Sequence, residues 1–520
     1  MGSIGEDEVQ HNGTTDLGSL LHKTGLTAKK STSAVLHRSL HHDPHQAVHA
    51  KGNYLYLSNG QKIFDATGGA AVACLGSNDE RVTRALIEQL TNGVSYCHSL
   101  FFATDAVEQL ASLLISSTNN IMARAFFTSS GSEANEAALK MARQYFLEKP
   151  QPEPQRTHFI GREQSYHGTT LGALGVGGHR ARRKLYEPML SRNASFVSAC
   201  FSYRGRLFVD ETDKAYVARL EAELEAEFQK VGPRNVVAFI AEPVVGAALG
   251  CVPSVPGYFA AMRRVCDKHG ALLIMDEIMC GTGRVGPAPS AAFPNPLYAW
   301  QDPSVGVAPD IMTMGKALGG GSLPVAAMLI NERVVNALAQ GSGAFSHGQT
   351  YQAHPLACRA ALEVQQIIRK DDLVSNVREQ GALLGKLLKS SLADHPCVGD
   401  IRGQGLFWGI EFVRDKSSKE PFDSADGVAT GIHELGMRPP FNISIYPGNG
   451  SCDGERGDHI LLAPAFNVTK VDIEQITDTV TRVIETYFDS KLSLPHVVSN
   501  RHEPATVCEF TDKLQEKDSS

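Results

Sequence analysis

A lysine at the end of an apolar run is the residue of this sequence with the clearest capacity for chemistry. Lys316 follows the run Ile311–Met314 and precedes three glycines at 319–321. A lysine drawn into a water-poor position has its pKa lowered, and its neutral amine can then condense with an aldehyde to form an imine. A nucleotide-binding P-loop is the alternative, but that motif requires Ser or Thr where this chain has Ala317. The pattern favours covalent chemistry at Lys316.

A carboxylate follows a second apolar run. Asp276 comes directly after residues 271–275, where burial of an unpaired carboxylate is costly. The sequence therefore predicts either a cationic partner for Asp276 or a role for its side chain in capping the next turn. A protonated ring nitrogen of a bound ligand would be such a partner.

A short polar segment leads directly into a predicted helix. Ser130, Gly131 and Ser132 stand where backbone amides, hydroxyl groups and the close approach allowed by glycine make a cradle for a phosphate group. Ser130 and Glu133 also have the spacing of a helix capping box. A purely structural role for this segment therefore stays open.

An aromatic ring and an imidazole follow a further strand. Tyr166 and His167 would meet a planar ligand there, although packing alone also explains such a pair. Together with the phosphate cradle, they match the needs of pyridoxal 5'-phosphate (PLP). Its aldehyde would join Lys316, and its ring nitrogen would pair with Asp276.

These polar positions depend on a sheet that brings strand ends together. Short apolar runs alternate with amphipathic segments, which is typical of the α/β class with a mostly parallel sheet. Because ligands of such sheets bind beyond the carboxyl ends of the strands, residues that follow strands are expected to meet. The predicted strands are 125–128, 158–160, 236–241, 271–275, 311–314 and 325–330. Apolar stripes predict helices at 105–116 and 133–146.

The chain divides into a larger and a smaller predicted domain. After about residue 371, long charged helices surround one alternating strand run at 405–412, which indicates a second unit of α+β type. The predicted parts are a polar tail at 1–33, an N-terminal segment of the small domain at 34–84, the large ligand-binding domain at 85–345, the C-terminal part of the small domain at 346–491 and a polar tail at 492–520.

Composition narrows the classes of partner. The 520 residues include 49 Lys+Arg and 56 Asp+Glu, a net charge of −7, so no general attraction to nucleic acid is expected. No apolar run approaches the length of about 18 residues that spans a membrane. The ten cysteines are scattered, so neither a metal site nor a disulfide framework is expected. The acidic start does not match a targeting segment, and the expected location is cytoplasmic.

Nine motifs, in order along the chain, resemble those of one family. They are GGAAVACLG at 68–76, SGSEANEA at 130–137, SYHG at 165–168, AEPV at 241–244, MDEI at 275–278, GK at 315–316, HGQTY at 347–351, GDHI at 457–460 and APAF at 463–466. From about residue 47 to 488 the chain resembles the class III aminotransferases, which are fold-type I enzymes that use PLP. The resemblance implies a large domain whose mostly parallel central sheet is flanked by helices, and a smaller α+β domain.

The resemblance also implies roles for residues around the cofactor. Lys316 would be the Schiff-base lysine and the proton shuttle, and Asp276 the partner of the pyridine nitrogen. Tyr166 and Ile278 would cover the two faces of the ring, and His167 would stand beside it.

The phosphate site implied by the resemblance involves two subunits. Ser130, Gly131 and Ser132 would hold the phosphate from one side, and Thr350 would reach it from a neighbouring subunit. The implied assembly is therefore a homodimer with its active sites at the interface.

The residue that binds a substrate carboxylate is left open. Glu242 is placed with the cofactor-binding residues and matches a glutamate that pairs with an arginine in the ornithine-type branch of the family, but this chain has Leu461 at that arginine's position. Arg456 and Arg438 are the two substrate-binding candidates, because a guanidinium group forks well onto a carboxylate. Each also fits a solvated surface arginine. The basic run 179–184 is interpreted as a solvated helix face.

The activity implied is transamination in two half-reactions, a ping-pong mechanism. An amine or amino acid leaves its nitrogen on the cofactor, and an oxo acid or aldehyde collects it, with Lys316 as general acid and base. Mutase, racemase or decarboxylase chemistry on the same fold is the alternative. A non-catalytic PLP-binding scaffold and a dinucleotide-dependent dehydrogenase are hypotheses of other classes, and a scaffold has no physical need for a desolvated amine.

Overall fold

A computed structural model describes residues 33–41 and 43–492. Both predicted tails therefore lie outside the described residues, apart from Ser33 and Leu492. Within the described ranges, no helix combines the length and the apolar character needed to cross a membrane.

A seven-stranded sheet forms the centre of the fold. Its strands lie in the order Met122–Thr128, Ala326–Asn331, Ile311–Met314, Leu272–Asp276, Val236–Ala241, His158–Arg162 and Ala194–Val197. Only Ala326–Asn331 runs antiparallel to its neighbours. Every residue of Val236–Ala241 and Leu272–Asp276 is buried, as expected of central strands covered on both faces. The predicted α/β class with a mostly parallel sheet is confirmed.

The predicted strands of this sheet are confirmed with small differences in their bounds. Val236–Ala241 and Ile311–Met314 have the predicted ends. Met122–Thr128 begins three residues before the predicted 125 because the exposed Arg124 interrupts the apolar run in its first part. The edge strand Ala194–Val197 was not predicted, since only four residues form it and three of them are only half-buried.

Helices alternate with strands along the described chain. Some of them, such as Gly131–Glu148, pack on the seven-stranded sheet, whereas Val428–Gly436 and Lys470–Leu492 pack on each other and beside the smaller sheets. The helices are Gly68–Ala71, Glu80–Thr91, Asp105–Ser116, Gly131–Glu148, Leu171–Val176, Arg180–Arg183, Ser202–Gly205, Asp213–Val231, Tyr258–His269, Glu332–Gln340, Pro355–Lys370, Leu373–Leu392, Val428–Gly436 and Lys470–Leu492. Short 3-10 turns lie at Glu187–Met189, Pro233–Asn235, Ala299–Gln301, Lys316–Leu318 and Ser424–Asp426. Phe239 and Ile240 belong to different apolar clusters because neighbouring side chains of a strand point to opposite faces of the sheet.

Two four-stranded sheets and one strand pair make up the remaining β structure. One sheet has the order Ala47–Lys51, Tyr54–Leu57, Lys62–Asp65 and Ile443–Ser444, the other has Val398–Gln404, Phe407–Phe412, His459–Leu462 and Tyr446–Gly448, and the pair is Val244–Val245 with Val252–Pro253. Lys62–Asp65 pairs in parallel with Ile443–Ser444. The N-terminal segment therefore shares a sheet with the C-terminal part of the chain, which favours the predicted small domain; its exact boundaries stay a prediction.

Candidate active site

A cavity of about 250 Å³ opens where the carboxyl ends of the central strands meet the start of the helix Gly131–Glu148. Eight of the residues predicted to bind the cofactor line it, namely Gly131, Ser132, Tyr166, His167, Glu242, Asp276, Ile278 and Lys316. A wider hollow of about 530 Å³, walled partly by the outer face of the same helix, contains none of them. The smaller cavity is therefore the candidate active site.

Lys316 reaches the cavity from an unusual backbone position. It lies two residues after the strand end Met314, and its φ of 45° is in the left-handed region, which costs about 1–2 kcal/mol for a residue with a side chain. Loss of hydration lowers the pKa of its amine, while the carboxylates of Asp276 and Glu242 oppose this shift. The wall of the cavity thus carries an amine that deprotonates more readily than a lysine in water.

The carboxylate of Asp276 is buried, with 3% of the residue exposed, and it is held from three sides. Asn135 Nδ2 donates to Oδ2 over 2.9 Å, His167 Nδ1 lies 2.8 Å from the same oxygen, and the amide of Ile278 donates to Oδ1 over 3.0 Å. The last of these bonds is the turn-capping contact that the sequence left as an alternative. These three contacts therefore offset part of the free-energy cost of burying the Asp276 carboxylate.

Asn135 is the residue of this network to which the sequence assigned no role. Its amide nitrogen also donates to the carbonyl of His167 over 2.6 Å, and its Oδ1 accepts from Thr313 Oγ1 over 3.0 Å. Asn135 stands 141 positions before Asp276, so no local pattern could have paired them. The signal available in the sequence was a polar amide residue near the alanines Ala134, Ala137 and Ala138 of the predicted helix. The structure shows that this amide is fully buried.

The capping box at the start of the helix Gly131–Glu148 is confirmed. Ser130 Oγ accepts from the amide of Glu133 over 3.3 Å, and the carboxylate of Glu133 accepts from the amide of Ser130 over 2.9 Å. Ser130 itself does not line the cavity, whereas Gly131 and Ser132 do. The cap thus leaves the first turn of the helix facing the cavity, where helix amides attract an anion.

The space beside this turn depends on glycine. A Cβ atom at Gly131 would lie only 2.7 Å from Ile278 Cδ1, so a side chain there would displace Ile278 or close the gap between them. The cavity thus suits a ligand with three parts. The helix start can bind a phosphate, the aromatic side chain can stack on a planar ring, and the amine of Lys316 can react with an aldehyde. The residues present therefore fit PLP.

Tyr166 and Glu242 form one side of the cavity. The amide of Tyr166 donates to Glu242 Oε2 over 3.2 Å, which joins the ends of two neighbouring strands. Burial raises the pKa of both side chains. The carboxylate of Glu242 accepts from the amides of Tyr166 and Gly246, and no arginine forms an ion pair with it among the described residues, in keeping with Leu461 at the position where a related branch has an arginine.

The interpretation of residues 179–184 as a solvated helix face is wrong for three of them, because His179 is buried as well as Arg183, and Arg182 is half-buried. Arg183 is buried, and its Nη1 donates to the carbonyls of Leu174, Gly175 and Gly177 over 2.8–2.9 Å. Arg182 is half-buried and lines the cavity. A four-residue helix has too few positions for its pattern of charges to show which side faces the protein.

Three residues predicted for the site lie elsewhere in the single chain. Arg456 is exposed and forms ion pairs with Asp453 at 2.8 Å and Glu420 at 3.4 Å. Arg438 is also exposed, and neither arginine lines the cavity. Thr350 lies on the surface, where its carbonyl accepts from Tyr96 Oη over 3.0 Å.

The fold and the cavity define a fold-type I enzyme of the PLP-dependent class. The family model "Aminotransferase class-III" matches residues 36–484. An aminotransferase of Gibberella zeae is 51% identical over 450 residues, which cover 86% of this chain and 85% of that protein. The chain belongs to the class III aminotransferases.

Solved structures agree with this assignment. The PLP-bound form of an amine transaminase from an uncultivated Pseudomonas species superposes with a TM-score of 0.79 at 30% identity, covering 89% of this chain and all of that one. An omega transaminase of Pseudomonas jessenii in complex with PMP gives a TM-score of 0.77 at 28% identity, covering 86% and 93%. The protein is a PLP-dependent aminotransferase, as the sequence predicted.

Proposed function

We propose that this aminotransferase carries out both half-reactions at the cavity around Lys316. The observation that supports this most directly is that an amine whose pKa is lowered by burial shares the cavity with the buried carboxylate of Asp276. Lys316 would attach to the aldehyde of the cofactor. Once released, its amine would take a proton from the substrate carbon and return it on the cofactor side.

Bound PLP supplies an electron sink for the charge left when a proton leaves the amine-bearing carbon. Asp276 would keep the ring nitrogen protonated, because its carboxylate is held in place by Asn135 and His167. Among the described residues no lysine or arginine forms an ion pair with it. This arrangement also explains why a carboxylate is buried at the end of a central strand.

The lining of the cavity supports the remaining contacts that we propose for the cofactor. Gly131 and Ser132 would hold the phosphate through the first turn of their helix, and Ser130 would act by fixing that turn. Tyr166 and Ile278 would cover the two faces of the ring. His167 would orient Asp276, and Glu242 would orient Tyr166, through the hydrogen bonds described above.

A single-turnover measurement tests transamination by this protein. The holoenzyme incubated with an amine donor alone should lose its visible cofactor absorbance and retain the donor's nitrogen, and an added oxo acid or aldehyde should restore the absorbance. Donor turnover without any lasting change in absorbance would instead indicate mutase, racemase or decarboxylase chemistry. Nicotinamide-dependent turnover in a colourless protein would indicate a dehydrogenase.

We further propose that the protein is a homodimer in which Thr350 reaches the phosphate of the partner's cofactor. Thr350 is exposed beside Tyr351, and its carbonyl accepts from Tyr96 Oη over 3.0 Å. The segment that follows Tyr96 exposes Leu100, Phe101 and Phe102, which together with Tyr351 are 59–74% accessible. Apolar surface of this kind marks an interaction site.

Hybrid dimers test this arrangement. A Thr350→Asp subunit should be impaired because its carboxylate would repel the phosphate, and a Lys316→Ala subunit should be inactive. Co-expressed, the two should regain about a quarter of the wild-type activity, because half of the dimers are hybrids and one of their two sites carries neither change. If the co-expressed protein is no more active than the Thr350→Asp protein alone, or if light scattering gives the mass of a single chain, the proposal that two subunits share each active site is contradicted.

The cytoplasmic location, the absence of a nucleic-acid partner and the domain boundaries stay predictions from the sequence.

A further inference from the structure

The cavity holds a cation that the proposed mechanism does not use. Arg182 lines it, and the guanidinium carbon lies 4.6 Å from the centroid of the Tyr166 ring. Among the described residues no carboxylate forms an ion pair with Arg182, and no hydrogen bond of its side chain is present. A half-buried guanidinium group without an anionic partner is poised for an anion from outside the chain.

The position of Arg182 is set by its neighbours. Arg183, the next residue of the helix Arg180–Arg183, is anchored by three backbone carbonyls and by the carboxylate of Glu187, whose Oε1 lies 3.0 Å from its Nη2. The ring of Tyr166 supports the guanidinium group from the other side through a cation–π contact. Arg182 is therefore a preorganised feature of the wall, which lowers the entropic cost of holding a ligand.

A second guanidinium group belongs to the same wall. Arg38 lines the cavity, and it too has no ion pair with a described residue. By contrast, the charge of Arg456 is already shared between two carboxylates outside the cavity. Within the described chain, Arg182 and Arg38 are thus the arginines available to a molecule that enters beside Lys316.

We propose that Arg182, assisted by Arg38, binds the carboxylate group of the substrate, so that the enzyme selects amino donors and oxo acids that carry an anionic group away from the reacting carbon. This inference rests on the proposed function of the cavity. A guanidinium fork matches a carboxylate with two parallel hydrogen bonds, and the partly water-excluded wall strengthens that pairing. Tyr166 links the two roles, since it would cover the cofactor ring and also supports Arg182.

Two amines of equal length provide the test, 4-aminobutanoate and butylamine. Single-turnover rates with the wild-type holoenzyme should favour 4-aminobutanoate. In Arg182→Gln this preference should fall about 10- to 100-fold, the range expected for losing hydrogen bonds to a charged group. Arg182→Lys, which keeps the charge without the planar fork, should lose less. Arg180→Gln is the matched control, because this residue of the same helix is exposed, does not line the cavity and should leave the preference unchanged.

Calorimetry with butanoate supplies a readout that needs no reaction. The wild-type holoenzyme and Arg180→Gln should bind butanoate, and Arg182→Gln should bind it at least about 10-fold more weakly. Equal loss with both amines in Arg182→Gln, or unchanged butanoate affinity, would overturn the proposal and assign Arg182 only a packing role against Tyr166. If the wild-type enzyme transfers nitrogen to its cofactor from neither of these amines nor from any other donor, the proposed function is refuted instead. The butanoate measurement requires no reaction, so it tests the role of Arg182 separately.

Discussion

Lys316→Ala is expected to lower the single-turnover rate by about 10⁴-fold, since proton transfer by a positioned base contributes up to about that factor. The change removes both the amine that attaches to the cofactor and the group that moves the proton. Borohydride treatment followed by mass spectrometry should place the cofactor on the peptide containing Lys316 in the wild-type protein and on no peptide of the variant.

The folded state should survive this substitution. Lys316 is partly accessible from the cavity and makes no ion pair or side-chain hydrogen bond with a described residue, so the alanine variant should keep a thermal midpoint close to that of the apoenzyme. Lys214→Ala, at an exposed position of the helix Asp213–Val231, is the matched control and should keep full activity. A Lys316→Ala protein that retains activity above about 1% would remove Lys316 from the mechanism.

Asp276→Asn should lower the single-turnover rate by about 100- to 1,000-fold, the range seen when one preorganised electrostatic contact is removed from an active site. The substitution keeps the size of the side chain and an oxygen that can accept from Asn135, but it removes the charge that would hold a proton on the ring nitrogen. The loss should fall on the rate of the chemical step more than on cofactor affinity. Stopped-flow absorbance and a cofactor titration measure the two separately.

Asp302→Asn distinguishes this effect from a general loss of stability. Asp302 is also buried and also accepts hydrogen bonds from backbone amides, those of Ala288 at 2.8 Å and Ser304 at 2.9 Å, but it does not line the cavity. This control should be destabilised by a similar amount while its chemical step stays near the wild-type rate. If both variants slow the reaction equally, Asp276 acts through folding and not through the ring nitrogen.

The parts of the site that sequence reasoning identified share one property. Asp276, Glu242 and Lys316 each stand within two residues of a strand end, and Gly131 begins a helix. Apolar runs and helix caps are local patterns, and parallel strands place all their carboxyl ends at one edge. Residues far apart in the chain could therefore be grouped before the structure was known.

The residues that were missed, or placed elsewhere, depend on long-range packing. Asn135 reaches Asp276 across the interior, and Arg182 lines the cavity from a four-residue helix that the buried Arg183 anchors. Arg456, placed by its distance from a motif, pairs instead with two nearby carboxylates on the surface. Sequence spacing does not report the direction of a long, flexible side chain.

The sequence by itself determined the family, the cofactor and the positions at the strand ends, because these follow from short-range pattern and from residue chemistry. The tertiary structure alone decided which arginines face the cavity and how the charge of Asp276 is held. Those outcomes depend on which elements pack together and on which side chains meet within a few ångströms. Arg182 meets Tyr166, which lies 16 positions earlier in the chain, and Asp276 meets Asn135, which lies 141 positions earlier.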